Sequence, residues 1–249
     1  MSPRRLLEVC VDSPAGLVAA VQAGADRIEL CSSLALQGLT PTPGLMALAS
    51  RQPIPAYPMI RAHPGEFRYE ARDVDVMRWD IDAARAAGLP GVVIGANTAS
   101  GELDEDVLAA LVEHAKGLGL TLHRAFDLVP DFARALETAI ALGFERILTS
   151  GGARNALLGA DRIAEFVAQA GGRIRVMAGC GVTPANIAEI VRRTGVHEVH
   201  GSFGARVYAP EGPEIPGDRA ADLGFAMLDR KDTLGASVAE AAGILKTLG

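Results

Sequence analysis

The chain has 249 residues, 49% of them hydrophobic and 4% aromatic, and a net charge of −6. That suits one sizeable α/β core or two small domains. The acidic balance, without any basic stripe interleaved with aromatics, argues against nucleic acid or an anionic membrane surface as a partner, and no apolar run reaches the roughly 18 residues of a membrane span.

At the N-terminus Arg4 and Arg5 precede an apolar stretch that Glu8 and Asp12 interrupt, which does not read as a signal peptide. The first predicted strand, 6–11, holds Leu7-Glu8-Val9-Cys10-Val11, and the second, 27–31, holds Ile28-Glu29-Leu30-Cys31. Residues two apart in a strand share a face. Glu8 and Cys10 therefore point one way and Leu7, Val9 and Val11 the other; Glu29 and Cys31 pair in the same manner. Two strands that each present an acid and a thiol on one face suggest that this face lines a site.

Six more strands are expected at 56–60, 91–94, 120–124, 145–149, 174–178 and 197–201. A recurring junction marks most of them: an Ala-rich helical stretch ends at a glycine (Gly24, Gly88, Gly119, Gly143, Gly195) and a β-branched run begins soon after. Ser13-Pro14 and Thr183-Pro184 each read as an N-cap followed by proline at the first helical position. Helical stripes are clear at Val107, Leu108, Leu111, Val112 and Ala115, and at Phe132, Leu136 and Ile140. The connection from Arg61 to Arg72 is long and polar, as is 203–232 before a last helix at about 234–247. Strands alternating with helices in this number predict a single (β/α)8 TIM barrel over residues 1–249. The competing doubly wound sheet lacks its Gly-x-Gly-x-x-Gly fingerprint after the first strand.

In such a barrel the chemistry collects at the C-terminal strand ends. Those ends carry Glu8 and Cys10, Glu29 and Cys31, Arg61, the run His123-Arg124-Ala125-Phe126-Asp127, Thr149-Ser150-Gly151-Gly152, Gly179-Cys180-Gly181, and His200 with Ser202. Three cysteines without Cys-x-x-Cys suit reduced thiols in a cytoplasmic protein rather than a disulfide framework. Thiols on adjacent strands, about 4.8 Å apart, can hold a soft ion such as Cu(I), so Cys10 and Cys31 are candidate metal ligands; small buried core residues are the alternative. Glu8, Glu29, Arg61, His123, Arg124, Asp127 and His200 are candidates for acid–base catalysis, because opposed carboxylates and imidazoles push each other's pKa toward neutrality. The same set could ligate a hard divalent ion, or be an internal ion-pair network. Ser150, Gly151, Gly179, Gly181 and Ser202 are candidates for seating an anion, since the loops after strands seven and eight are the usual phosphate cradle of this fold; plain tight turns are the alternative.

These segments resemble the CutC copper-homeostasis-like family. The matching stretches are Leu7–Ser13, Gly24–Ser32, Gly38–Pro41, Met59–Arg61, Leu122–Asp127, Arg146–Gly151, Gly179–Val182 and Glu198–His200. The resemblance implies a cytoplasmic barrel that self-associates as a homodimer or homotetramer, with a Cu(I) site at Cys10 and Cys31. The chain departs from the family pattern at Arg61-Ala62-His63-Pro64-Gly65-Glu66-Phe67, where Arg-Pro-Arg-Gly-Gly-Asp-Phe is usual, and Cys180 replaces a common glycine. The expected function is copper binding through thiols at the barrel mouth. The alternative is an enzyme using acid–base chemistry on a small phosphorylated or sugar-like substrate in the same mouth.

Overall fold

Glycines at helix ends and capped prolines at helix starts set the rhythm of the fold. In the computed structural model, which describes residues 4–206, 223 and 231–248, the strands are β1 (Leu6–Val11), β2 (Arg27–Leu30), β3 (Ala56–Pro58), β4 (Gly91–Ile94), β5 (Gly119–Leu122), β6 (Arg146–Thr149), β7 (Arg175–Ala178) and β8 (Glu198–Gly201). The helices after them are α1 (Pro14–Gln22), α2 (Pro43–Ala49), α3 (Ala71–Ala86), α4 (Glu105–His114), α5 (Phe132–Ala141), α6 (Ala160–Ala170), α7 (Pro184–Thr194) and α8 (Gly235–Leu248).

The Ser13 hydroxyl accepts the Gly16 N–H to cap α1, and Thr183 forms a reciprocal capping box with Asn186 to start α7. One expected junction is displaced. The left-handed residue that turns the chain after α4 is Gly117, at φ +87°, whereas Gly119 opens β5. Gly119 lacks a side chain for another reason: a Cβ there would stand 2.1 Å from the Tyr57 hydroxyl inside the barrel.

The eight parallel strands run in the order β3-β2-β1-β8-β7-β6-β5-β4. A Met59–Val93 bridge, with the Ile60 N–H donating to Val93 O at 2.8 Å, brings β3 to β4 and closes the barrel. Side chains alternate as the pleat demands. Leu7, Val9, Val11, Ile28 and Leu30 face outward into the apolar layer beneath the helices. Glu8, Cys10, Arg27 and Glu29, out of phase with them, face the barrel axis. Within the expected loop 203–232, β9 (Gly204–Arg206) pairs antiparallel with β10 (Lys231–Thr233), while 207–222 and 224–230 lie outside the described residues. Among the described residues no helix is long and apolar enough to cross a membrane.

Candidate functional site

The barrel interior is layered, and its floor is charged. Arg27 donates from Nε to Glu8 and from Nη2 to Glu198 Oε2 at 2.6 Å; Arg146 donates to Glu198 Oε2 at 3.1 Å and to the Thr121 hydroxyl at 3.0 Å. Both guanidinium groups lie over the Tyr57 ring, 5.8 and 5.2 Å from its centroid. Charges in a dry interior persist only when paired in this manner. Arg27 and Arg146 were not among the expected functional residues, although Arg27 stands two before Glu29 and so shares its face.

Above the floor lies the triad Cys10, Glu29 and His200, whose ligand-capable atoms all fall within 4.8 Å of one another. The strand register produces it. Cys10 stands opposite Glu29, and Glu8 opposite His200. Cys31, two residues beyond Glu29, therefore sits in the next layer and outside the triad. Its thiol donates to Glu29 Oε2 at 3.6 Å, so Cys31 adjoins the triad through Glu29, and the thiol that stands with a carboxyl and an imidazole is that of Cys10. His200 Nδ1 donates to Glu8 Oε1 at 2.8 Å, which leaves Nε2 facing Glu29 Oε2 at 3.7 Å.

The protonation states follow from these neighbours. Burial would raise the Glu8 carboxyl, but Arg27 and His200 beside it outweigh burial and hold it down to about 2. Burial works against charge on His200; the acidic Cys10, Glu29 and Glu8 around it outweigh that and raise it well above the usual imidazole range. Burial, with Glu8 nearby, raises Glu29, and burial also raises the Cys10 and Cys31 thiols.

A cavity of about 550 Å³ opens above the triad. Among the expected residues, Cys10, Glu29, Arg61, His123, Arg124, Asp127, Gly181, Ser202 and His200 line it. Glu8, Cys31, Ser150, Gly151 and Gly179 do not. Glu8 stands behind His200. Gly179 makes room, since a Cβ there would lie 2.5 Å from Leu148 and 3.2 Å from the Cβ of His200.

His123 is held by its own turn. β5 ends two residues before the expected 124, and His123 caps a 3₁₀ turn, Arg124–Leu128, by accepting the Ala125 N–H on Nδ1 at 3.1 Å. Burial, then the Arg61 guanidinium, push its pKa down to about 3, so the ring is neutral and its proton sits on Nε2. Gly95 leaves the space that the ring fills; a Cβ there would meet it at 2.4 Å.

Asp127, Arg124 and Ser150 form a separate unit in the wall. The Asp127 carboxylate accepts from the Thr149 hydroxyl, from the Ser150 and Gly152 N–H groups at 3.0 Å, and from Arg124 Nε at 2.7 Å. The Ser150 hydroxyl accepts from Arg124 Nη2 at 2.9 Å. The loop after β6 has thus turned its donors onto an internal carboxylate, which fills the place expected for an anion. Sequence reasoning also passed over Met59, Phe67, Leu148 and Lys231, which are among the other residues of the cavity wall; Met59 and Leu148 were legible by parity with Tyr57 and Arg146.

The CutC family model matches residues 5–205. A protein named CutC from Caulobacter vibrioides is 61% identical over 245 residues, covering 98% of each chain. One from Sinorhizobium medicae is 53% identical over 235 residues, 94% of each. Among solved structures, a CutC protein of Streptococcus agalactiae with a copper-homeostasis name superposes with a TM-score of 0.77 at 32% identity, over 80% of this chain and 98% of that one. Phosphoribosylanthranilate isomerase from Thermotoga maritima matches at a TM-score of 0.60 and 14% identity over 98% of this chain and 99% of that one, a likeness of fold alone. With a family match over most of its length and relatives above half identity, the chain belongs to the CutC family.

Proposed function

We propose that the protein binds a transition-metal ion at the base of the barrel mouth, with copper, to which the family's name points, as its cargo. The observation that carries this is the buried triad Cys10, Glu29 and His200, with ligand atoms within 4.8 Å of one another. The donor chemistry fits. Thiolate and imidazole are both copper ligands, and Glu8 bonds the far nitrogen of His200 as carboxylates commonly do behind a metal-binding histidine. Cys31 contributes by orienting Glu29.

The test is a Cu(I) competition titration on the purified protein and three variants. Cys10→Ser and His200→Gln should each lose tight one-to-one binding, while Cys31→Ser keeps it. Equal loss from both cysteine variants would restore the two-thiol site; no binding by the parent would end the metal reading.

One observation favours a second reading. A cavity of about 550 Å³ is far larger than a lone ion needs. In this reading the raised Glu29 and the Glu8-bonded His200 exchange protons with a small phosphorylated or sugar-like substrate held above them. Turnover of such a substrate, lost in Glu29→Gln, would support it.

A further inference from the structure

Arg61 carries a buried charge that no acid among the described residues balances. Its side chain runs from the end of β3 into the cavity wall, and the residue is only 3% exposed. Nη1 donates to Leu36 O at 3.0 Å and Gly38 O at 2.9 Å, and Nη2 donates to Gly65 O at 2.7 Å. Among the described residues no carboxylate reaches ion-pair distance of this guanidinium, whereas Arg27, Arg124 and Arg146 each have one. Its Nε–H makes no hydrogen bond, and the buried Tyr69 hydroxyl beside the guanidinium makes none either. Across the Phe67 ring the His123 side chain, 2% exposed, is in the same condition: Nδ1 is used by Ala125, and Nε2 has no partner. The Phe67 ring bridges the two, 4.8 Å from the guanidinium carbon and 4.5 Å from the imidazole centroid.

Unmade hydrogen bonds of this kind are costly, about 1–3 kcal/mol each and more for a charged group. Two buried, unpartnered donors on residues that line one cavity, one of them an unneutralised cation, point to a missing acceptor that is negatively charged. We propose that this cavity binds a small organic acid, whose carboxylate is received by Arg61 Nε–H and His123 Nε2–H.

Charge and donor count both favour a carboxylate. Among the described residues the other cavity cations are Arg124, already paired with Asp127, His200, bonded to Glu8, and Lys231; the acids are Asp127 and Glu29. Two N–H donors match the two oxygens of a carboxylate. A phosphate ester asks for more, and part of its usual cradle is taken: the loop after β6 serves Asp127, and the N–H groups of Thr183 and Asn186 at the start of α7 serve each other's side chains. The remaining body of the ligand would lie against Met59, Leu148 and Phe67. The unpartnered Glu29 Oε1 offers one polar contact to a hydroxyl or oxo group beside the carboxylate. The inference goes beyond the metal reading and does not depend on it.

The experiment is calorimetric titration of chelator-treated, metal-free protein with malate, pyruvate and 2-oxoglutarate, and with inorganic phosphate and glycerol phosphate in parallel. At least one carboxylate should bind one-to-one, and the phosphates should not. In His123→Asn the amide oxygen replaces Nδ1 as the cap and the second donor is gone; affinity should fall about tenfold or more. That variant should still bind Cu(I) as the parent does, so failure of the acid site and failure of the metal site are read separately. Arg61→Lys keeps the charge and loses the Nε–H, and should weaken carboxylate binding likewise. Absence of binding by all three acids at millimolar concentration, preference for phosphate, or unchanged affinity in His123→Asn would each overturn the proposal.

Discussion

Replacing Asp127 by asparagine keeps its size and removes only its charge and half of its acceptor capacity. The native carboxylate is surrounded by donors. On Oδ1 are the Thr149 hydroxyl and the N–H groups of Ser150 and Gly152; on Oδ2 are Arg124 Nε and, again, the Ser150 N–H. Whichever way the amide turns, its NH2 faces at least two N–H groups, and neither can rotate away. A hydrogen bond to a charged group contributes about 1.5–3 kcal/mol, and part of the loss is recovered where water reaches Gly152 and Arg124, so the net cost should be about 3 kcal/mol. With a urea dependence of about 3 kcal/mol per molar, the denaturation midpoint should fall by about 1 M. Far-UV circular dichroism is the probe, because the single tryptophan, Trp79, is exposed. Metal binding should be unchanged in the folded variant, since Asp127 belongs to the wall and not to the triad. A midpoint within about 0.2 M of the parent would refute the claim that this carboxylate organises the loop after β6.

Other outcomes follow from the same contacts. His123 has a folded pKa of about 3 against the 6.5 of an exposed imidazole, so below pH 6.5 the unfolded chain takes up a proton that the native state refuses, and stability falls as pH drops from 6.5 toward 3. Between pH 7.5 and 5 this costs about 2 kcal/mol, and urea midpoints of His123→Asn should lack that share of the acid loss; equal acid sensitivity in both proteins would contradict it. Gly95→Ala puts a methyl 2.4 Å from the His123 ring and should destabilise by about 1–3 kcal/mol in thermal denaturation, whereas an unchanged Tm would mean that the ring is not wedged there. Arg27→Met removes the cation shared by Glu8 and Glu198, leaving Glu8 only His200 and Glu198 only Arg146 in the dry floor, and should cost about 3–5 kcal/mol in urea unfolding at neutral pH; a loss below about 1 kcal/mol would show that the floor is not held by this charge pairing.

The barrel was legible because its punctuation is local. A glycine past a helix and a β-branched run after it are read within a few residues; four of the five glycine junctions stand where expected, and all eight strands lie within two or three residues of their expected ends. Parity was legible for the same reason, and it brought Glu8, Cys10, Glu29 and His200 to one face. Register was not. Nothing within β1 or β2 says that Cys10 stands opposite Glu29 rather than Cys31, because register is set by how the whole barrel closes. Asp127 was placed at the mouth correctly, but its partners lie across the next strand, and a carboxylate that serves backbone N–H groups has the same letter as one that serves a substrate. Arg27 and Arg146 were overlooked because an arginine at the start of a strand reads as exposed until a neighbouring strand supplies its acid.

The most direct measurement of the metal centre is X-ray absorption at the copper edge on protein loaded with one equivalent of Cu(I). The triad predicts a mixed first shell, one sulfur from Cys10 together with nitrogen from His200, unaltered in Cys31→Ser. A shell of two sulfurs that collapses in Cys31→Ser would contradict it.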